Sequence, residues 1–129
     1  MSGARPDIAE RTVKYSLRTI RIARRIKADV TGQVLARQLL KSGTSVGANV
    51  HEAQSAQLRA DFIAKMYVAY KEARETAYWM RVITDAGMLC GDEADAFRSE
   101  TSEIVKILSS ILLTAKGVRR RIDSATHPS

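Results

Sequence analysis

The residues best suited to chemistry in this chain form a row of cations. Arg11, Lys14, Arg18, Arg21 and Arg25 recur at steps of three and four. On an α-helix that spacing puts all five within about an 80° arc and along about 21 Å of one face. No acid interrupts the row. The planar arginine fork matches phosphate oxygens two at a time, so an unmixed row is a candidate nucleic-acid-binding face. The ordinary alternative is a solvated, solubilising surface, but such surfaces intersperse acids for i, i+4 pairing. Arg119, Arg120 and Arg121 form a second basic cluster. In an antiparallel bundle the end of the fourth helix returns beside the start of the first and would extend the same surface. No aromatic interleaving suggests base stacking, so the expected contact is with RNA or DNA backbone.

Other reactive residue types give weaker patterns. His51 and Glu52 are adjacent and point about 100° apart on a helix, a poor chelating pair. Cys90 is the single cysteine, so no intrachain disulfide forms and a reducing cytoplasm is the expected compartment. It has no base partner nearby in sequence and reads as a free thiol. No Cys/His cluster has zinc spacing. Gly43 to Gly47 lacks the Gly-Lys-Ser/Thr ending of a phosphate loop. Glu72 and Glu75 share a helix face with Lys71 and Arg74 close by, so ion pairs, including pairs across subunits, are expected rather than general acid and base. No set of acid, base and nucleophile can be assembled. The reading is non-enzymatic, with no catalytic residue, no cofactor and no metal.

The elements that carry these residues read as helices. The chain has 129 residues and a net charge of +7, which fits one domain over 1–129. The charge is uneven: residues 1–27 sum to +6, residues 116–129 to +3, and the middle to −2. Proline is absent between Pro6 and Pro128, so nothing interrupts long helices, and the fold class is all-α. Charges recur from Arg5 onward, leaving no apolar leader to read. The apolar run from Ile104 to Ala115 is too polar and too short to span a bilayer, so no membrane partner is expected.

Four helices are predicted, about 7–28, 33–51, 61–86 and 92–122. Asp7 is a candidate N-cap for the first. Its core stripe is Ile8, Tyr15, Ile22, Ala23 and Ile26, and Val13, Leu17 and Ile20 make a second apolar stripe. In helix 3, Phe62, Met66, Ala69, Tyr70, Ala73, Ala77, Met80 and Thr84 form the core stripe. Val68, Trp79, Val82 and Ala86 lie away from it. A lone bundle needs one stripe per helix, so the second stripes point to an oligomer interface made of Val13, Leu17, Ile20, Val68, Trp79 and Val82. For Trp79, packing over its own chain is the open alternative. Helix 4 shows a heptad seam of Phe97, Thr101, Ile104, Leu108, Ile111, Ala115, Val118 and Ile122.

Ser42 to Ala53, SGTSVGANVHEA, is crowded with small residues yet continues the helical pattern of Val34, Leu35, Gln38 and Leu39. Two glycines inside a helix cost about 1 kcal/mol each relative to alanine. Close approach of a neighbouring helix would offset that, so the stretch is read as the narrow waist of a bundle. Asn49 and Glu52 are expected to end the helix or tie its last turn to a neighbour. A Gly/Ser loop is the alternative.

The same stretch carries a resemblance. Ser45-Val46-Gly47-Ala48-Asn49-Val50 with Glu52-Ala53 follows Gln38-Leu39-Leu40. It precedes Asp61-Phe62, and then Lys71-Glu72-Ala73, Glu75-Thr76 and Tyr78-Trp79. This pattern resembles the small four-helix-bundle proteins encoded in intervening sequences of bacterial 23S ribosomal RNA genes. A more distant similarity is to the accessory protein of diversity-generating retroelements. The resemblance implies an antiparallel up-and-down four-helix bundle, a homo-oligomer that is commonly a pentamer, and no assigned enzymatic activity. By the distant similarity it also implies a reverse transcriptase or another protein as a partner. His51 departs from the family, which tends to have a small residue there. The functional expectation is a homo-oligomeric bundle that binds RNA or DNA phosphates. The rival is a protein-interaction scaffold with no nucleic-acid ligand.

Overall fold

The computed structural model describes residues 7–117, which form four α-helices. They are α1 (Ile8–Arg25), α2 (Val30–Gln54), α3 (Arg59–Asp85) and α4 (Asp92–Ala115). Among the described residues there is no strand. Asp7 caps α1, its carboxylate accepting from the Ala9 N–H at 3.0 Å. Asp29 does the same for α2, accepting from the Gly32 N–H at 2.7 Å. That cap starts α2 at Val30, earlier than the expected Gln33, and α1 ends at Arg25 because Ile26 is already extended. The Lys27 carbonyl oxygen fills the space a Gly32 side chain would need, so the tight α1–α2 turn requires glycine there.

Two left-handed glycines end helices. Gly87, at φ 75°, follows α3, and the Met88 N–H returns to the Ile83 carbonyl at 3.1 Å. Gly117, at φ 74°, follows α4, and the Lys116 N–H bonds the Leu112 carbonyl at 2.9 Å. This is a common helix stop. The expected continuation of helix 4 to Ile122 is therefore corrected: the helix stops at Ala115. Val118 and Ile122 lie outside the described residues.

The helices pack in a ring. α1 meets α2 and α4, and α3 meets α2 and α4. Contacts between neighbours run in opposite chain directions. Ala9 reaches His51 while Thr19 meets Gly43. Lys65 reaches Glu52 while Thr76 reaches Ser42. Arg59 reaches the Ala115 carbonyl while Thr84 meets Arg98. Arg11 reaches Glu100 while Arg25 reaches the Cys90 carbonyl. Together these contacts enclose one core, in which Tyr15, Phe97, Ile22, Leu39, Met66, Met80, Ile83, Ile104 and Leu108 are the largest fully buried side chains.

The small-residue stretch lies inside α2, as the waist reading expects. A Cβ on Gly43 would sit 2.5 Å from Thr19 Cγ2, and one on Gly47 would sit 3.1 Å from the Thr12 carbonyl oxygen. The glycines thus let α1 and α2 approach to backbone contact. The last turn of α2 is tied outward by Glu52, which pairs with Lys65 at 2.8 Å, and by His51, whose Nε2 lies 3.2 Å from the Ala9 carbonyl. Asn49 does neither of the things expected of it. Its amide bonds the Ser45 carbonyl one turn back at 2.8 Å.

The centre of the core is polar but satisfied. Tyr15 stacks on Phe97, centroids 4.9 Å apart, and its hydroxyl is 2.6 Å from Thr101 Oγ1. Thr76 Oγ1 donates to the Glu72 carbonyl at 2.8 Å and lies 2.9 Å from Ser42 Oγ. Every helix supplies at least one buried hydroxyl side chain, and α1 supplies three, Thr12, Tyr15 and Thr19; burial pushes the Tyr15 phenol well above its ordinary pKa. Two expected core positions on α3 are corrected. Thr76 and Ile83 are buried, whereas Ala77 is exposed and Thr84 only half-buried. Hydrogen bonding to the Glu72 carbonyl one turn back and to Ser42 satisfies the Thr76 hydroxyl and lets it turn inward.

Candidate nucleic-acid interface

The five cations of the α1 row lie on one side of the helix, facing α4 and solvent, and α4 meets them with carboxylates. Arg11 is engaged most firmly. Its Nε and Nη2 donate to Glu100 Oε2 and Oε1 at 2.7 and 2.8 Å, with side chains only 27% and 17% exposed. This two-point pair holds the Glu100 carboxyl below its ordinary pKa, because the Arg11 hydrogen bonds outweigh the opposing effect of burial. Hydrogen bonding to Glu100 also raises Arg11. Arg11 thus clamps α1 to α4. Glu93 is shared by Arg25, at 3.1 Å, and Arg21, at 3.8 Å. Arg25 also donates to the Cys90 carbonyl at 3.0 Å. Lys14 and Arg18 enter no ion pair among the described residues. Arg119, Arg120 and Arg121 lie outside them.

The apolar residues expected at an oligomer interface are uncovered to different degrees. Val13 is 40% exposed and Leu17 53%, while Ile20 is half-buried. On α3, Val68, Trp79 and Val82 are half-buried. Trp79 packs against the core of its own chain, and its indole N–H donates to Glu75 at 3.1 Å. Counting 100° per residue from the Thr12 and Thr19 side of α1, Val13, Leu17 and Ile20 fall outward beside α2. The same count from Thr76 places Val68, Trp79 and Val82 outward beside α2 as well. Both apolar sets therefore flank one helix.

Glu72 and Glu75 form no ion pair within the chain among the described residues. Burial, reinforced by Glu75, raises the Glu72 carboxyl above its ordinary pKa. Cys90 is an exposed free thiol. Among the described residues no group of three or more His, Cys, Asp or Glu side chains could hold a metal ion. No helix there is long and apolar enough to cross a membrane.

Sequence reasoning missed a second basic surface. Tyr67, Lys71, Arg74, Tyr78 and Arg81 follow one another at steps of four and three along the outer side of α3. Lys71 Nζ lies 5.0 Å from the Tyr67 ring centroid, and Lys116 Nζ, at the end of α4, lies 5.5 Å from it. Between α3 and α4, Arg74, Arg81 and Arg98 border a groove of ≈ 490 Å³ with Tyr78 and Ser102. The steps of four and three on α3 were a usable signal. The contribution of α4 was not, since Arg98 and Lys116 come from distant sequence.

Fold and site together define a class: an all-helical, four-helix bundle whose outer surface carries clustered arginines. The chain belongs to the 23S rRNA-intervening sequence protein family, whose model matches residues 6–110. It is also similar to a solved structure from Bacteroides thetaiotaomicron, a protein of unknown function from the S23 ribosomal protein family. The two are 33% identical, with a TM-score of 0.77, over 82% of this chain and 98% of that one. Among curated proteins no relative matches.

Proposed function

We propose that the protein is a non-enzymatic bundle that assembles with copies of itself and binds nucleic-acid phosphates. The observation that carries the polyanion reading is the surplus of cation on outer α1. Lys14, Arg18, Arg21 and Arg25 share one arc, and Glu93 is the carboxylate that pairs with two of them. Exposed pairs of that kind contribute little, about 0–1 kcal/mol, so Arg21 and Arg25 can exchange Glu93 for a phosphate at small cost. Arg11 is set apart for the fold by its Glu100 clamp. Self-association is supported by Val13 and Leu17, which their own chain leaves uncovered. A ring of five is the number the family resemblance implies. Repetition of the basic arc around such a ring would add avidity for a long polyanion.

The test is a titration of labelled duplex DNA at several salt concentrations. Affinity should fall with a log–log slope of about 0.9 per phosphate neutralised. Arg18→Glu with Arg21→Glu should weaken binding strongly and flatten that slope. Unchanged affinity in the double variant would remove this face from the proposal. A second reading, a self-associating scaffold without nucleic acid, is favoured by the carboxylates of α4 that already meet Arg11, Arg21 and Arg25. The absorbance ratio at 260 and 280 nm of freshly purified protein, before and after a high-salt wash, separates the two.

A further inference from the structure

We propose that the outer groove between α3 and α4 binds unpaired nucleic acid by stacking a base on Tyr78, set among cations, an inference that rests on the polyanion reading above. The α3 stripe falls within about 80° of arc and runs about 21 Å. Its order is tyrosine, lysine, arginine, tyrosine, arginine, from Tyr67 to Arg81. Neither this stripe nor the groove lining on α4 contains a carboxylate. Asp85, which pairs with Arg81 at 3.3 Å, stands at one end. Arg98 reaches only the Thr84 hydroxyl, at 3.2 Å, and Arg74 only the Tyr70 ring, 5.8 Å from its centroid. Neither enters an ion pair among the described residues.

Tyr78 offers the open ring, whereas Tyr67 is already stacked with Tyr70, centroids 6.3 Å apart, and attended by Lys71 and Lys116. Tyr78 is 59% exposed and Tyr67 45%. Tyr78 and Trp79 meet edge-to-face, centroids 5.1 Å apart and planes at 71°. Cations that follow a backbone, interleaved with rings that accept any base, are how single strands are held without sequence readout. Paired bases have no free face for such a ring, and a compact anion has no use for a stripe this long. Single-stranded RNA or DNA is therefore the occupant the chemistry selects. Val68, Trp79 and Val82 point about 60° to 120° from the stripe's centre, toward α2 and away from α4, so an assembly that covers them leaves the α4 side of the groove accessible.

The experiment follows binding of fluorescein-labelled oligouridylate, oligothymidylate and a matched DNA duplex by anisotropy, using the full chain. Trp79 is the only tryptophan, so quenching of its emission reports events beside Tyr78. Tyr78→Ala should weaken both single strands about tenfold, within the range found for loss of one stacked base, and spare the duplex. Tyr67→Ala, whose ring already serves Tyr70 and two lysines, should act less than Tyr78→Ala. Arg74→Ala with Arg98→Ala should lower the single-strand salt slope by about 0.7 for each phosphate no longer neutralised. These side chains are exposed, and unchanged circular dichroism confirms folding. Unaltered single-strand affinity and quenching in Tyr78→Ala overturn the groove. If Arg18→Glu with Arg21→Glu still weakens the duplex, the broader polyanion reading stands alone. Failure of the wild type to bind any of the three probes overturns both.

Discussion

Gly43→Ala tests the close contact of α2 with α1. Alanine should stabilise an ordinary helical position by about 1 kcal/mol relative to glycine. At Gly43 the new methyl would lie 2.5 Å from Thr19 Cγ2 and 2.7 Å from its Oγ1. Thr19 cannot swing aside, because it is fully buried and its hydroxyl donates to the Tyr15 carbonyl at 2.8 Å. Overpacking of this kind costs about 1–3 kcal/mol, and an overlap this short belongs at or above the upper end. The net expectation is destabilisation by about 2 kcal/mol, a drop in Tm of about 8 °C for a chain of this size. Thermal unfolding by far-UV circular dichroism at fixed protein concentration measures it. Thr19→Ala removes both offending atoms, so in that background Gly43→Ala should become neutral or stabilising. The coupling in the double-mutant cycle should reach about 2 kcal/mol. A Gly43→Ala protein more stable than wild type, with no coupling to Thr19, would refute the close approach of α1 and α2.

Further predictions concern other contacts. Glu100 is held below its ordinary pKa, so its contribution is present above its unfolded-state pKa and is lost as pH falls through the folded one. Glu100→Gln should cost about 1–2 kcal/mol at neutral pH and flatten the acid limb of a stability-versus-pH curve, measured by urea unfolding. Tyr15→Phe removes the hydroxyl that meets Thr101 at 2.6 Å; the loss should be about 1 kcal/mol, with helix content unchanged. Leu17→Asp should shift the protein to a smaller species in light scattering while its far-UV spectrum stays the same, since Leu17 is outside the core.

Four helices and the contact through Gly43 and Gly47 are legible in the sequence because period and residue size are local signals. The α4 seam holds at Phe97, Thr101, Ile104 and Leu108. It fails at the next step, where Leu112 is buried and Ile111 only half so. A straight helix drifts about 20° per heptad, which moves the buried line by that amount. The register error on α3 has another source: Thr76 looks polar in sequence, and its Ser42 partner lies on a different helix. Arg11 shows the same limit. As one of a row it looks free, and nothing local announces Glu100, 89 residues away. The Tyr67–Arg81 stripe is visible in principle, but its arginine and lysine neighbours on α4 join it only through folding.

Native mass spectrometry of the full chain, with and without oligouridylate, tests the central claim most directly. The account predicts a multiple of the 14.3 kDa subunit, five copies being the number proposed above, and a further peak heavier by the mass of bound oligonucleotide that disappears as ionic strength rises. A single-subunit mass at micromolar concentration, unchanged by the oligonucleotide, would contradict both the assembly and its polyanion ligand.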